Sequence, residues 1–145
     1  MRTMKSYFDE YSQSHSHPFN SKMHTVCVPL IAWSVLAFLH TFPVGDVLRL
    51  SHIGAALALL FYLSLGRPLM VLFILIPGAL AFWTFDYVPH LRWVAVGVFV
   101  IGWIGQFYGH HVEGIRPSFF KDLLFLLIGP IWVLNKYLPD AVRVK

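Results

Sequence analysis

Five apolar runs joined by short polar connections leave this chain few ways to fold. They lie at about 25–42, 47–65, 69–85, 93–108 and 119–137. Each is near the ~20 residues that a helix needs to cross a bilayer. Several are short, which implies thin or distorted bilayer around them. In hydrocarbon every backbone polar group must be satisfied within the segment, so such runs become helices. Charged residues make up only 12% of the chain, about half the usual share of a soluble domain. The expectation is a single all-α integral membrane helical bundle over residues 1–145.

Residues 1–24 form a polar N-terminal segment, 25–109 the spanning region, and 110–145 a second polar cluster with a C-terminal helix. Pro18 suits the first turn of a helix capped by Ser16 or His17. That helix runs on toward Leu39, kinked at Pro29. Gly66-Arg67-Pro68 reads as a tight turn, Pro77-Gly78 as a break in the third run, and Gly129-Pro130 as an interruption of the fifth. Basic residues set the orientation. With four spanning helices and both termini cytoplasmic, the inner side holds Arg2, Lys5, Lys22, Arg67, Arg116, Lys121, Lys136, Arg143 and Lys145. Arg49 and Arg92 remain outside. If the fifth run also spanned, the bias would fall to six against five. The reading is four spanning helices plus a re-entrant or interfacial C-terminal helix. A lone Cys27 excludes an internal disulfide or a cysteine-based zinc cluster. The first two dozen residues lack the apolar core of a signal peptide. A net charge of +4, spread singly, fits membrane lipid and not nucleic acid.

Polar chemistry gathers at two places, which this topology puts on one membrane face. The first holds His15, His17, Asn20 and His24; the second holds Gln106, His110, His111 and Glu113. Asn20 and His24 are four apart and share a helix face, with His17 a turn further back. Gln106, His110 and Glu113 align in the same way. Imidazoles from two helices with a carboxylate make a ligand set with open positions. Such sets suit non-haem Fe(II) and oxygen activation or catalytic zinc. The plainer alternative is an interfacial histidine cluster, with Glu113 paired to Arg116 three residues on. His111 points about 100° away from His110, so it and His17 are supporting or alternative donors. Gln106 and Arg116 are the candidates for contacting a substrate; Arg116 with Lys121 could hold a carboxylate. His40, His52 and His90 belong to the opposite face. No nucleophile elbow, metalloprotease helix, Walker loop or dinucleotide fingerprint is present.

The two clusters resemble the membrane 2-hydroxy-fatty-acid dioxygenase family, whose fungal endoplasmic-reticulum member acts in phytosphingosine α-oxidation. The resemblance rests on His15-x-x-Pro18-x-Asn20-x-x-x-His24 before Val28-Pro29, and on the stretch from Ile101-Gly102-Trp103 through Gln106-Phe107-Tyr108-Gly109-His110 to Glu113 and Arg116-Pro117. Gly129-Pro130 follows at a similar distance. The resemblance implies an Fe(II)-dependent dioxygenase that shortens a 2-hydroxy fatty acid by one carbon with O2. It carries over His15, His24 and His110 as metal ligands, with Asn20 and Glu113 as catalytic support. In the fungal enzyme one more residue separates the motif histidine from the glutamate. A compact chain of this kind is expected in a bacterial inner membrane, or in the endoplasmic reticulum if the source is eukaryotic. Two other readings stand beside it: a non-catalytic membrane scaffold or lipid-binding protein with structural histidines, and a zinc-dependent lipid hydrolase.

Overall fold

The computed structural model describes residues 3–115 and 119–145, the side chains of 119–124 excepted. Among the described residues six helices follow one another: α1 (Met4–Gln13), α2 (Pro18–His40), α3 (Leu50–Ser64), α4 (Pro68–Phe85), α5 (Leu91–Glu113) and α6 (Phe119–Asn135). The expected helical architecture holds. One small element escaped the sequence reading: a hairpin, β1 (Pro43–Val44) against β2 (Leu48–Arg49), turning through Gly45 at φ +66°.

Punctuation residues set the helix ends. Pro18 opens α2 at its first position, where a missing N–H costs nothing, and the His17 ring accepts a hydrogen bond from Phe19 N. Pro68 opens α4 in the same way, after Gly66 at φ +75° has reversed the chain. Gly114 at φ +80° stops α5. The break expected at Pro77-Gly78 does not occur: α4 runs unbroken through Pro77, as α2 does through Pro29. An interior proline removes one hydrogen bond, and apolar helices absorb that loss by local adjustment.

Among the described residues three helices, α2, α4 and α5, are long and apolar enough to cross a membrane. The 15 residues of α3 rise only ~22 Å, short of the ~30 Å of hydrocarbon. Large apolar side chains such as Leu57, Leu60, Leu72, Ile76, Leu80 and Ile104 remain exposed along α3, α4 and α5. Such a surface suits lipid rather than water.

The axis of the fold is the antiparallel pair of α2 and α5. Its seam is lined by Gly102, Gly105 and Gly109. A methyl group on these would lie 2.6 Å from Ile31 Cγ1, 2.5 Å from Cys27 Sγ and 2.5 Å from Asn20 Oδ1, respectively. Only glycine lets the backbones approach so closely, which is how membrane helices associate when no hydrophobic force drives them together. The consequence is a register: the first turns of α2 face the last turns of α5, and the two polar clusters meet.

Two buried cores brace this pair. One gathers Met4, Phe8 and Tyr11 of α1 with Tyr62, Met70, Ile128, Ile131 and Trp132. The other, smaller, packs Ala37, Phe85 and Ala95 at the opposite end. α6 belongs to the first. Its Gly129 abuts Val28, Tyr62 in the last turn of α3 donates to Leu127 O at 2.6 Å, and Lys136 just beyond it reaches Ser21.

Candidate metal centre

Three imidazoles converge where α1, α2 and α5 meet. His15 stands between α1 and α2, His24 in the second turn of α2, and His110 near the end of α5. One nitrogen from each lies within 4.8 Å of the others. The rings contact edge-on, with centroids 4.0 Å apart for His15–His24, 4.9 Å for His24–His110 and 5.1 Å for His15–His110. They are 5%, 1% and 2% exposed, respectively, so water does not satisfy them.

The backbone decides which nitrogens point inward. His15 Nδ1 lies 2.6 Å from Tyr11 O, and His24 Nδ1 lies 3.0 Å from Asn20 O. A carbonyl can only accept, so each Nδ1 carries the proton and donates, leaving Nε2 as a lone pair. This carbonyl-to-imidazole pairing orients ligating histidines in metal sites. Among the described residues, His15 Nε2 and both ring nitrogens of His110 have no hydrogen-bond partner. Buried polar atoms without partners are rare and call for an explanation. Three neutral imidazoles with converging lone pairs fit a transition-metal ion. Burial lowers the pKa of His15 from 6.5 to about 4, so the ring is in its ligating form across the physiological range.

Aromatic rings wall the cluster. Tyr11 stacks flat on His15 at 4.1 Å and 8°, and Trp132 lies 5.7 Å from His15. Trp132 Nε1 donates to Ser12 Oγ at 3.0 Å, tying α6 to α1. Beside it, Gln106 lines a small cavity of about 10 Å³ with Tyr11, Val28, Trp103, Phe125 and Leu126. That is room for one water at most.

Glu113 stands apart from the imidazoles. Oε1 accepts from Ser16 N at 2.9 Å, Ser16 Oγ at 2.8 Å and His17 N at 3.3 Å, while Oε2 accepts from Asn20 Nδ2. The carboxylate therefore caps the start of α2 from the end of α5, where the N-terminal dipole favours an anion. Asn20, fully buried, also donates to Ser14 O at 3.2 Å and gives its own carbonyl to His24. Asn20 and Glu113 thus hold the helix turn on which His24 stands. His17 is exposed and occupied with its capping role, and His111 is exposed on another face of α5. Arg116 falls outside the described residues, as does the side chain of Lys121.

One feature of the site has no signal in the sequence. Lys136 Nζ donates to Ser21 Oγ at 2.9 Å and Thr25 Oγ1 at 3.1 Å, and sits 3.8 Å over the Trp132 ring. Its pairing joins residues over a hundred positions apart, which no local pattern can announce.

No solved structure matches the chain. The 2-hydroxy-palmitic acid dioxygenase MPO1 of Saccharomyces cerevisiae is 29% identical over 138 residues, covering 93% of this chain and 79% of the yeast protein. The family model described as "2-hydroxy-palmitic acid dioxygenase Mpo1-like" matches residues 1–140. With nearly its whole length matched, the chain belongs to the Mpo1-like family.

Proposed function

We propose that this protein is a membrane dioxygenase that converts a 2-hydroxy fatty acid and O2 into the acid one carbon shorter. The observation that carries the reading is the buried three-histidine cluster in a chain of the Mpo1-like family. The reaction balances without an outside reductant: R–CH(OH)–COOH and O2 give R–COOH, CO2 and H2O.

His15, His24 and His110 are the residues that would hold the metal. A ferrous ion there would supply the one-electron chemistry that lets O2 react with a closed-shell substrate. The protein contributes position and dryness. Tyr11 O and Asn20 O fix the tautomers of His15 and His24, and Asn20 with Glu113 keeps the first turns of α2 in register with α5. Tyr11 and Trp132 shut out water beside His15. The apolar faces of the helices accommodate the acyl tail, which is why such an enzyme sits in a membrane. In this arrangement α2, α4 and α5 span, the shorter α3 crosses where the bilayer thins to match it, α6 lies at the membrane surface, and both termini are cytoplasmic. The small cavity beside Gln106 is too narrow for a chain.

A second reading rests on the donor set. Three neutral histidines without a carboxylate are also a catalytic zinc set, whereas iron oxygenases commonly use two histidines and one carboxylate. The zinc-dependent lipid hydrolase therefore stays as the alternative. Metal analysis of anaerobically purified protein separates the two. Stoichiometric iron together with O2 uptake on 2-hydroxypalmitate is expected. Stoichiometric zinc without O2 uptake would replace the dioxygenase with the hydrolase, and no stoichiometric metal would leave a structural cluster.

A further inference from the structure

Lys136 carries a charge that the described structure does not neutralise. Its ammonium is half-buried between α6 and α2, held by two hydroxyls and a ring face. No carboxylate pairs with it among the described residues. Glu113 is engaged at the start of α2, and Asp140 lies 3.7 Å from Arg143. Burying a cation without an anion is unfavourable, and a cation–π contact with two neutral hydrogen bonds offsets only part of that. If Lys136 served only to staple α6 to α2, a neutral donor would do so without this penalty.

The position of the ammonium suggests its use. Trp132 carries Nζ on its face and lies 5.7 Å from the His15 ring, so the charge stands one aromatic ring from the cluster. Three imidazoles bring no negative charge, so a divalent ion among them would keep its full +2. Ion and ammonium together would strongly attract an anion to this part of the molecule. Burial also holds the Lys136 pKa below the ordinary lysine value, as expected for an ammonium still lacking its counter-ion.

We propose that Lys136 holds the carboxylate of the acid substrate beside His15, His24 and His110, and so selects free acids over neutral lipids of the same length. The proposal rests on the dioxygenase reading for the identity of the acid, but its test does not depend on turnover.

The test is calorimetric binding to metal-loaded protein in neutral detergent. The probes are palmitate, 2-hydroxypalmitate and the uncharged hexadecane-1,2-diol. The variants are K136Q, which keeps a donor for Ser21 and Thr25 without charge, and K136R, which keeps the charge. The K136Q variant should bind both acids at least tenfold more weakly while the diol and the metal content are unchanged. K136R should recover most of the loss. Equal acid affinity in K136Q and wild type overturns the proposal, as does wild-type protein that binds acid no tighter than diol. Should K136Q misfold, the wild-type acid-to-diol ratio and K136R still decide. Phosphatidylglycerol that displaces palmitate from wild type but not from K136Q would assign the ammonium to lipid headgroups instead, again overturning it. If wild type prefers acids through Lys136 but consumes no O2, the dioxygenase reading fails and the carboxylate site stands.

Discussion

Histidines sit at both ends of this bundle, and the two ends treat them differently. At the far end, His40 Nδ1 pairs with Ser51 Oγ at 2.9 Å, and His52 Nδ1 accepts from Arg49 N at 2.9 Å to complete the cap of α3. Their rings are 5.7 Å apart, and His52 is exposed. At the near end the rings are as close or closer, but all three are buried and two of them keep nitrogens without partners. Proximity of imidazoles alone therefore does not make a candidate metal site. What distinguishes the near end is that backbone carbonyls consume the outward nitrogens of His15 and His24, while tight helix packing denies water to the inward ones.

The comparison breaks most directly at the clustered histidines. H24A or H110A should abolish stoichiometric metal and O2 uptake, a loss of at least ~100-fold in metal affinity, while H40A and H52A retain both. Metal-to-protein ratios on the four purified variants decide this. A metal-replete H110A protein would remove the cluster as the binding site.

A smaller effect concerns pH. The pKa of His15 falls from 6.5 to about 4 because burial disfavours the charged ring. Below pH 6.5 the unfolded chain takes up a proton there that the folded, metal-free protein does not. Stability therefore declines as pH falls from 6.5 toward 4, then levels off, by up to about 3 kcal/mol from this residue. Thermal unfolding of metal-free protein against pH should show that slope, and H15Q should flatten it. An unchanged slope in H15Q would assign it to other groups.

The smallest effect tests the seam. G109A puts a methyl 2.5 Å from Asn20 Oδ1 and 3.2 Å from Met23 Cβ, whereas G97A on the same helix meets nothing within 4 Å. Overpacking should cost G109A about 1–3 kcal/mol and loosen metal binding, while G97A should be neutral or slightly stabilised by helix propensity. Detergent unfolding with metal titration of the pair measures both. Equal behaviour would show that the seam has slack.

Much of the near end was readable from spacing. Asn20 and His24 share a face because they are four apart, and Pro18 with His17 marks where their helix begins. His110 follows from its helix spacing with Gln106 and Glu113 and His15 from its place just before α2, the family pattern names both as ligands, and the structure brings both to His24. Spacing puts Glu113 on the same helix face as His110, but its carboxylate meets Ser16, His17 and Asn20 at the start of α2. One turn along a helix tells which face a residue shares, not how far its side chain projects or which neighbour it meets. The exposed positions of His17 and His111 follow from the same limit, and Lys136 lay beyond any local pattern.

Hydrophobic runs and proline and glycine punctuation determined by themselves that this chain makes apolar helices, and roughly where each begins. They could do so because helix formation is local and each backbone bond closes within four residues. Tertiary structure alone decided which nitrogens would be left unsatisfied, and that a lysine just past the last helix would stand one aromatic ring from them. Those outcomes depend on glycine contacts between α2 and α5 and on the seating of α6, which join residues far apart in the chain.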